Sequence, residues 1–314
     1  AYTQALMASV PRIDKRMHRF VLPEAKQDVS PSAALQYLHN KTHQKVTTGE
    51  TILSVKNLAK TFITPASLFK PKQEFDAVKG VSFDVYKGET VGIVGESGSG
   101  KSTIGRLILG LHELTKGQII YRGQDLSGFT DPKVRRDISL SLQCIFQDPY
   151  SSLNPRMSAG ENITYGLKVH GLIAASEARQ LAKDLMQLVG LPADDVDKMP
   201  NAFSGGERQR IGIARALGYK PDFIFCDEPT SGLDVSVQAD LLNLLKDLQQ
   251  QFALTLLFVS HDLAVIRQMC DRVIVMKDGE ALEQGENEDV FERPQHAYTQ
   301  QLLDAMPRFD TYTA

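Results

Sequence analysis

The chain has 314 residues, 42% of them hydrophobic and 23% charged, which is enough to bury a substantial core and to hold two subdomains. Its 35 basic residues nearly balance 38 acidic ones, so no global charge suits nucleic acid or an anionic lipid surface as the main partner. No apolar run approaches the roughly 18 to 20 residues of a membrane-spanning helix, so any membrane task needs a partner.

The first fourteen residues already carry information. Ala1 to Asp14 matches Ala297 to Asp310 without a gap, with eight of fourteen positions identical. Since the chain starts with Ala, these residues read as the tail of a preceding homologous domain, and the chain as the second half of a tandem protein; a duplicated amphipathic helix with a local role is the alternative. Residues 23–50, rich in Gln, Lys, Thr, His and Ser, suit a connector better than a packed element. The domain proper begins near Thr51. Ile52 to Val55 and Val81 to Val85 alternate as strands, and Thr90 to Val94 is the continuous apolar run of a buried strand. Pro65 and Pro71 mark a loop between Phe62 and Phe75. A helix is expected over Thr103 to Leu111. Strands are then expected at Ile119 to Tyr121, Leu142 to Phe146, Phe223 to Cys226, Leu254 to Val259 and Val273 to Met276, alternating with helices in an α/β pattern. Ser158 to Met199 reads instead as a helical insert, helical throughout, with Leu181, Leu185 and Leu188 at apolar spacing. Cys144, Cys226 and Cys270 are few and far apart, which argues against a disulfide framework or a C-x-x-C metal site and makes the cytoplasm the natural compartment. Cys144 and Cys226 sit in apolar strands, the usual setting of a small buried hydrophobe.

Three stretches carry chemistry. Gly95-Glu96-Ser97-Gly98-Ser99-Gly100-Lys101-Ser102 matches G-x-x-x-x-G-K-[ST] between a strand and a helix, the context this motif requires. Its glycines let backbone N–H groups wrap phosphates, Lys101 supplies a point charge, and Ser102 offers a hydroxyl to magnesium. Ser204 and Glu207 fit a capping box that opens a helix, and the intervening Gly205 and Gly206 leave the first N–H groups uncovered for phosphate. Asp227 and Glu228 end an apolar strand, where adjacent carboxylates would be unpaired charges unless a metal or a catalytic task employs them. Asp227 would orient magnesium through its water shell and Glu228 would polarise an attacking water. Gln147 by itself reads as a polar loop residue, and His261 as a cap for the next helix.

Together these pieces resemble the nucleotide-binding domain of ABC transporters over nearly all of residues 51–310. Phe203-Ser204-Gly205-Gly206-Glu207 departs from the family's L-S-G-G-Q at its first and last positions only. The resemblance implies a P-loop NTPase core of the α/β class with an antiparallel β subdomain (51–157), an α-helical signature subdomain (158–210), the rest of the core (211–284) and a C-terminal tail (285–314). It implies ATP and Mg2+ as cofactors. ATP would be held by Phe62 stacking on adenine, by Gly95 to Ser102 with Thr103, by Ser204 to Glu207, and by Asp234 of a D-loop in which Gly232 replaces the commoner Ala. For Phe62 a core role is the alternative, and Phe69 lies in the same region. Magnesium falls to Ser102, Gln147 and Asp227, and catalysis to Glu228, the switch histidine His261 and the Q-loop glutamine Gln147. Phe146 to Arg156 and Pro294 to Leu303 are similar to the bacterial peptide and nickel import subfamily. This implies an ATPase on the cytoplasmic face of the bacterial inner membrane that powers peptide uptake, with a second ABC ATPase domain, integral membrane permease subunits and, indirectly, a periplasmic solute-binding protein as partners, and no nucleic acid. Many subfamily members carry a C-terminal cysteine cluster for an iron–sulfur centre, and none is expected here because no Cys follows Cys270. Nickel import and a soluble ABC ATPase acting on nucleic acid or ribosomes are the competing readings.

Overall fold

The structure, a computed structural model, describes residues 10–13, 16–17, 19–20, 32–39, 49–64, 73–127 and 131–306. In chain order the first elements are α1 (Ser32–His39), β1 (Thr51–Thr64), β2 (Gln73–Tyr86), β3 (Thr90–Gly95), α2 (Lys101–Ile108), β4 (Lys116–Tyr121), β5 (Gln124–Asp125), α3 (Pro132–Ser141) and β6 (Leu142–Ile145). There follow α4 (Pro149–Ser152), α5 (Ala159–Val169), α6 (Ala178–Leu188), α7 (Gly205–Gly218), β7 (Phe223–Asp227) and α8 (Val235–Phe252). The chain closes through β8 (Thr255–Ser260), α9 (Leu263–Met269), β9 (Arg272–Lys277), β10 (Glu280–Glu286), α10 (Asn287–Glu292) and α11 (Ala297–Asp304). Two units divide these elements. Among the described residues one holds 10–11, 19–20, 32–39 and 136–256, and the other holds 12–13, 16–17, 49–64, 73–127, 131–135 and 257–306.

In the second of these units, β1 and β2 are each 14 residues long and pair antiparallel, far beyond the short apolar segments expected from sequence. With β4 and β5 they make an antiparallel sheet in the order β2-β1-β4-β5, and its packed face buries Leu53, Val55, Phe83, Val85, Ile119 and Tyr121. β3 is buried along its whole length, as a strand covered on both faces should be. It runs parallel to β9, with Ile93 opposite Ile274, and β10 folds back antiparallel on β9. The site-bearing helix α2 therefore springs from the end of a central strand.

In the other unit, β6 and β7 pair in parallel, with Cys144 opposite Phe225, and α5, α6 and α7 pack together around Ile163, Leu167, Leu181, Leu185, Ile213 and Leu217. The insert is not helical throughout. α5 and α6 stop two residues short of Gly171 and Gly190, both left-handed, and each stop is a Schellman turn: Leu172 N–H donates to Leu167 O and Leu191 N–H to Met186 O, each at 2.8–2.9 Å. Pro192 then forbids a continued helix, and residues 193–197 form a 3-10 turn. Arg210 of α7, only 7% exposed, reaches Asp240 of α8 at 2.7 Å and also donates to Val189 O, so removing the Asp240 carboxylate would leave a buried guanidinium without its counter-charge.

The stretch read as a connector contains a packed element. In α1 Ala34 and Leu38, four residues apart, are buried against α6, while Tyr37 donates to Gly218 O at 2.9 Å under the Lys220 ammonium. The leading segment is also held. Asn243 of α8 takes both peptide groups of Phe20, accepting from its N–H at 2.9 Å and donating to its carbonyl at 3.0 Å. Gln268 of α9 does the same for the Met17 N–H and the Arg12 carbonyl. Residues 1–9 and 14 of the internal repeat, and 307–310 of its copy, lie outside the described residues, as does Phe69. Among the described residues no helix is long and apolar enough to cross a membrane, and no group of three or more His, Cys, Asp or Glu could hold a metal ion.

Candidate functional site

The phosphate loop folds as its glycines require. Gly100 is left-handed at φ 98°, and a Cβ there would stand 2.4 Å from Ala77 O; at Gly95 a Cβ would stand 2.1 Å from Met276 O. No side chain fits at either position without moving backbone. The loop is braced by β2 and by the β9–β10 turn, since Gly279 N–H donates to Ser99 O and Lys79 N–H to Gly279 O. Lys101 is buried and curls back inside the loop, its ammonium donating to Gly95 O at 2.8 Å, to Glu96 O at 2.7 Å and to Ser99 Oγ at 3.4 Å. Glu96, Ser97 and Gly98 are exposed, Ser99 is buried, and Ser102 and Thr103 are half-buried on the first turn of α2. The helix starts at Lys101 rather than Thr103.

Elsewhere in the same unit, Phe62 is 36% exposed near the end of β1, paired in register with Phe75. His112 meets its ring edge-on at a centroid distance of 5.4 Å, and Lys60 lies 5.1 Å above it. Phe62 thus stands half in solvent at the sheet end, with a histidine edge and an ammonium about its ring. His261 is exposed at the end of β8, and the capping duty an isolated His would have is performed by Asp262, which accepts from Ala264 N–H and Val265 N–H.

The other unit brings Gln147 and Glu228 together. Gln147 Nε2 donates to Glu228 Oε2 at 3.2 Å across the ends of β6 and β7. Asp227 is buried at 5% exposure and Glu228 half-buried. Glu228 adopts φ 46°, a left-handed conformation that a non-glycine residue holds at a cost of about 1–2 kcal/mol. Strain of this kind gathers at functional positions. Asp234 is exposed ahead of α8 and forms no side-chain cap. Burial pushes the Cys226 thiol well above its ordinary range, in keeping with a packing role.

The capping box at the start of α7 is present in full. Ser204 N–H donates to Glu207 Oε2 at 2.8 Å, Glu207 N–H donates to Ser204 Oγ at 3.4 Å, and the Ser204 hydroxyl also donates to Glu207 Oε2 at 2.8 Å. The two glycines differ in role. Gly205 is half-buried, but Gly206 is buried, and a Cβ there would lie 2.4 Å from Val237 Cγ1 of α8, so close helix packing demands it.

Sequence reasoning missed the residues that tie this helix to the Gln147 segment. Gln209 Nε2 donates to Phe146 O at 3.0 Å, Arg208 lies 4.1 Å over the Tyr150 ring, and Arg215 donates to Ser152 O. All three follow Ser204 along α7, and no local motif in the sequence marks them. A shift of residues 146–152 would therefore be felt along α7.

The family described as ABC transporter matches residues 78–231, and the oligopeptide/dipeptide transporter C-terminal region matches residues 282–314. The oligopeptide transport ATP-binding protein OppF of Bacillus subtilis is 45% identical over 259 residues, covering 82% of this chain and 79% of that protein. The glutathione import ATP-binding protein GsiA of Salmonella paratyphi A is 43% identical over 313 residues, covering 98% of this chain but 49% of that protein. Among solved structures, a dimeric post-hydrolysis state of the ATP-binding cassette MJ0796 bound to ADP and Pi aligns with a TM-score of 0.66 at 31% identity, over 75% of this chain and 98% of that one. The chain belongs to the ABC transporter ATP-binding family, whose cassettes are ATPases, in the branch that carries the oligopeptide/dipeptide transporter C-terminal region.

Proposed function

We propose that this chain powers the import of peptides, oligopeptides or glutathione-like compounds, by ATP hydrolysis on the cytoplasmic face of a bacterial inner membrane. The match of residues 282–314 to the oligopeptide/dipeptide region carries the choice of cargo, and the names of the relatives agree with it. Membrane permease subunits would receive the stroke and a periplasmic solute-binding protein would deliver the cargo. Residues 146–152, tied to α7 by Gln209, Arg208 and Arg215, are the natural lever toward a permease.

In this reading Lys101 and the amides of Gly95 to Thr103 grip the ATP phosphates, Phe62 stacks on adenine, Glu228 takes the proton of the attacking water, and His261 faces the γ-phosphate. Ser102, Gln147 and Asp227 supply a hydroxyl, an amide oxygen and a carboxylate, the hard oxygen donors that Mg2+ prefers. With its nitrogen committed to Glu228, Gln147 keeps its amide oxygen for a cation. Magnesium would neutralise charge on the β- and γ-phosphate oxygens.

One chain carries one phosphate loop and one Ser204 helix. ATP would complete its site with the Ser204, Gly205, Gly206, Glu207 and Asp234 elements of a second ABC domain. The repeat of residues 1–14 at 297–310 and the alignment across nearly all of this chain but half of GsiA support a tandem arrangement, in which that second domain precedes this one.

The test is reconstitution with the permease in vesicles. Wild type should take up peptide only with ATP, and Lys101→Ala should weaken ATP binding by about 1.5–3 kcal/mol, the value of a charged hydrogen bond, and stop uptake. ATP-driven uptake of nickel without uptake of peptide would refute the cargo assignment.

A further inference from the structure

The helix that opens at Ser204 carries a negative charge at its own mouth. Ser204 is exposed and Glu207, three residues on, is half-buried; one carboxylate oxygen of Glu207 accepts from both the Ser204 amide and the Ser204 hydroxyl, each at 2.8 Å. Chemistry fixes the direction of the second bond: a carboxylate has no proton to give, so the hydroxyl donates its only one. Ser204 Oγ in turn accepts the Glu207 amide at 3.4 Å. As a capping box this ring would be equally complete with a glutamine, whose amide oxygen also accepts a peptide N–H.

What a glutamine would not do is hold the hydroxyl so firmly. An O–H that donates to a carboxylate forms a charge-assisted bond, roughly twice as strong as one between neutral groups. A phosphate arriving at this helix end needs the donors that face it, the first N–H groups and the Ser204 hydroxyl. That hydroxyl has one proton, and Glu207 has taken it. The carboxylate also sets one negative charge beside the place where another would arrive, and their repulsion grows as water is excluded. In the free domain both effects are screened, because these bonds lie in solvent.

We propose that Glu207 is a positioning residue that holds the Ser204 hydroxyl away from phosphate and so sets how much ATP is needed to close a composite site. A carboxylate where the family pattern has glutamine raises that threshold and leaves the fold of the helix as it is. The inference rests on reading Ser204 to Glu207 as the element that completes the ATP site of a second ABC domain.

Glu207→Gln keeps the capping bond to the Ser204 amide and removes the charge. In the full chain assembled with its permease, it should lower the KM for ATP roughly five- to tenfold, the difference between a charged and a neutral hydrogen bond, and leave kcat within about twofold. Its urea midpoint should match that of wild type. A capping role alone predicts otherwise, since Glu207→Gln would then leave KM where it is. Ser204→Ala supplies a second arm. Beside Glu207 it should raise KM by less than about twofold, because the deleted hydroxyl is already tied to the carboxylate, whereas in the Glu207→Gln background it should raise KM about fivefold or more. The proposal is overturned if Glu207→Gln leaves KM unchanged or raises it, or if Ser204→Ala costs the same in both backgrounds. Gly205→Asp is the separate control. A Cβ at Gly205 would meet Leu233 Cδ2 at an ordinary 3.5 Å, so this substitution places a carboxylate on the first turn without moving backbone. Hydrolysis unchanged in Gly205→Asp would overturn the reading of this helix as part of the ATP site, whereas hydrolysis lost there with KM unmoved in Glu207→Gln would overturn the inference alone.

Discussion

Replacing Glu228 by glycine separates catalysis from stability. The residue sits at φ 46°, so its Cβ imposes a left-handed penalty of about 1–2 kcal/mol that glycine would not bear. Glycine returns about 0.5–1 kcal/mol of this through the greater entropy of the unfolded chain. Loss of the 3.2 Å bond from Gln147, which is solvent-exposed, removes about 0.5–1 kcal/mol more. The backbone turn in which Ser231 N–H donates to Glu228 O survives the change. The sum is close to zero, so Glu228→Gly should unfold within about 1 kcal/mol of wild type, a shift in Tm of about 2–4 °C or less. Hydrolysis should behave differently, since loss of a general base costs about 10²- to 10⁴-fold in rate. Phosphate release at saturating ATP and Mg2+ reads the first quantity and urea unfolding the second. Glu228→Gln, which keeps the strained backbone and can still accept from Gln147, should lose hydrolysis to the same degree. Destabilisation of Glu228→Gly by more than about 2 kcal/mol would make the carboxylate a structural strut, and wild-type turnover in both variants would remove it from the chemistry.

Two further substitutions probe what holds the site. Gly206→Ala should cost about 1–3 kcal/mol, because its Cβ would press on Val237 Cγ1 and a β-branched side chain on a helix has little freedom to swing aside. Val237→Ala in the same chain should recover most of that loss in urea midpoint; no recovery would mean that the close approach of α7 and α8 is not what excludes a side chain. Asn243→Ala strips both partners from the Phe20 peptide groups, so hydrogen exchange at the Phe20 amide should accelerate strongly while the buried centre of α8 stays protected. Unchanged exchange at Phe20 would show that the leading segment is held by other contacts.

What could be read from the sequence was what lies close together along it. The phosphate loop is eight consecutive residues whose glycines, lysine and serine each answer to one steric or electrostatic demand, and the Ser204 box spans four. The first sheet was underestimated for the opposite reason: Thr61 to Thr64 and Gln73 to Glu74 extend β1 and β2 through half-buried or exposed residues, where cross-strand pairing such as Phe62 with Phe75 replaces the burial that alternation reports. α1 escaped because two buried residues four apart are too little signal within a polar stretch. The breaks in the helical insert were written in Gly171, Gly190 and Pro192, and the apolar spacing of Leu181, Leu185 and Leu188 overrode them. The left-handed backbone of Glu228 has no sequence signature, since only glycine advertises such a conformation.

The residues that went unread have one thing in common: each works on a partner far away in the chain. Gln209 reaches Phe146, Asn243 reaches Phe20, and Gln268 reaches Arg12 and Met17. These three are amides, side chains that can satisfy a peptide group without carrying charge into a buried place. Local motifs announce themselves by consecutive residues, whereas these distant neutral side chains hold the 146–152 segment and the leading segment in place. A variant with every motif intact could therefore release residues 146–152 from α7 through Gln209 alone, and reading the motifs would not register that loss.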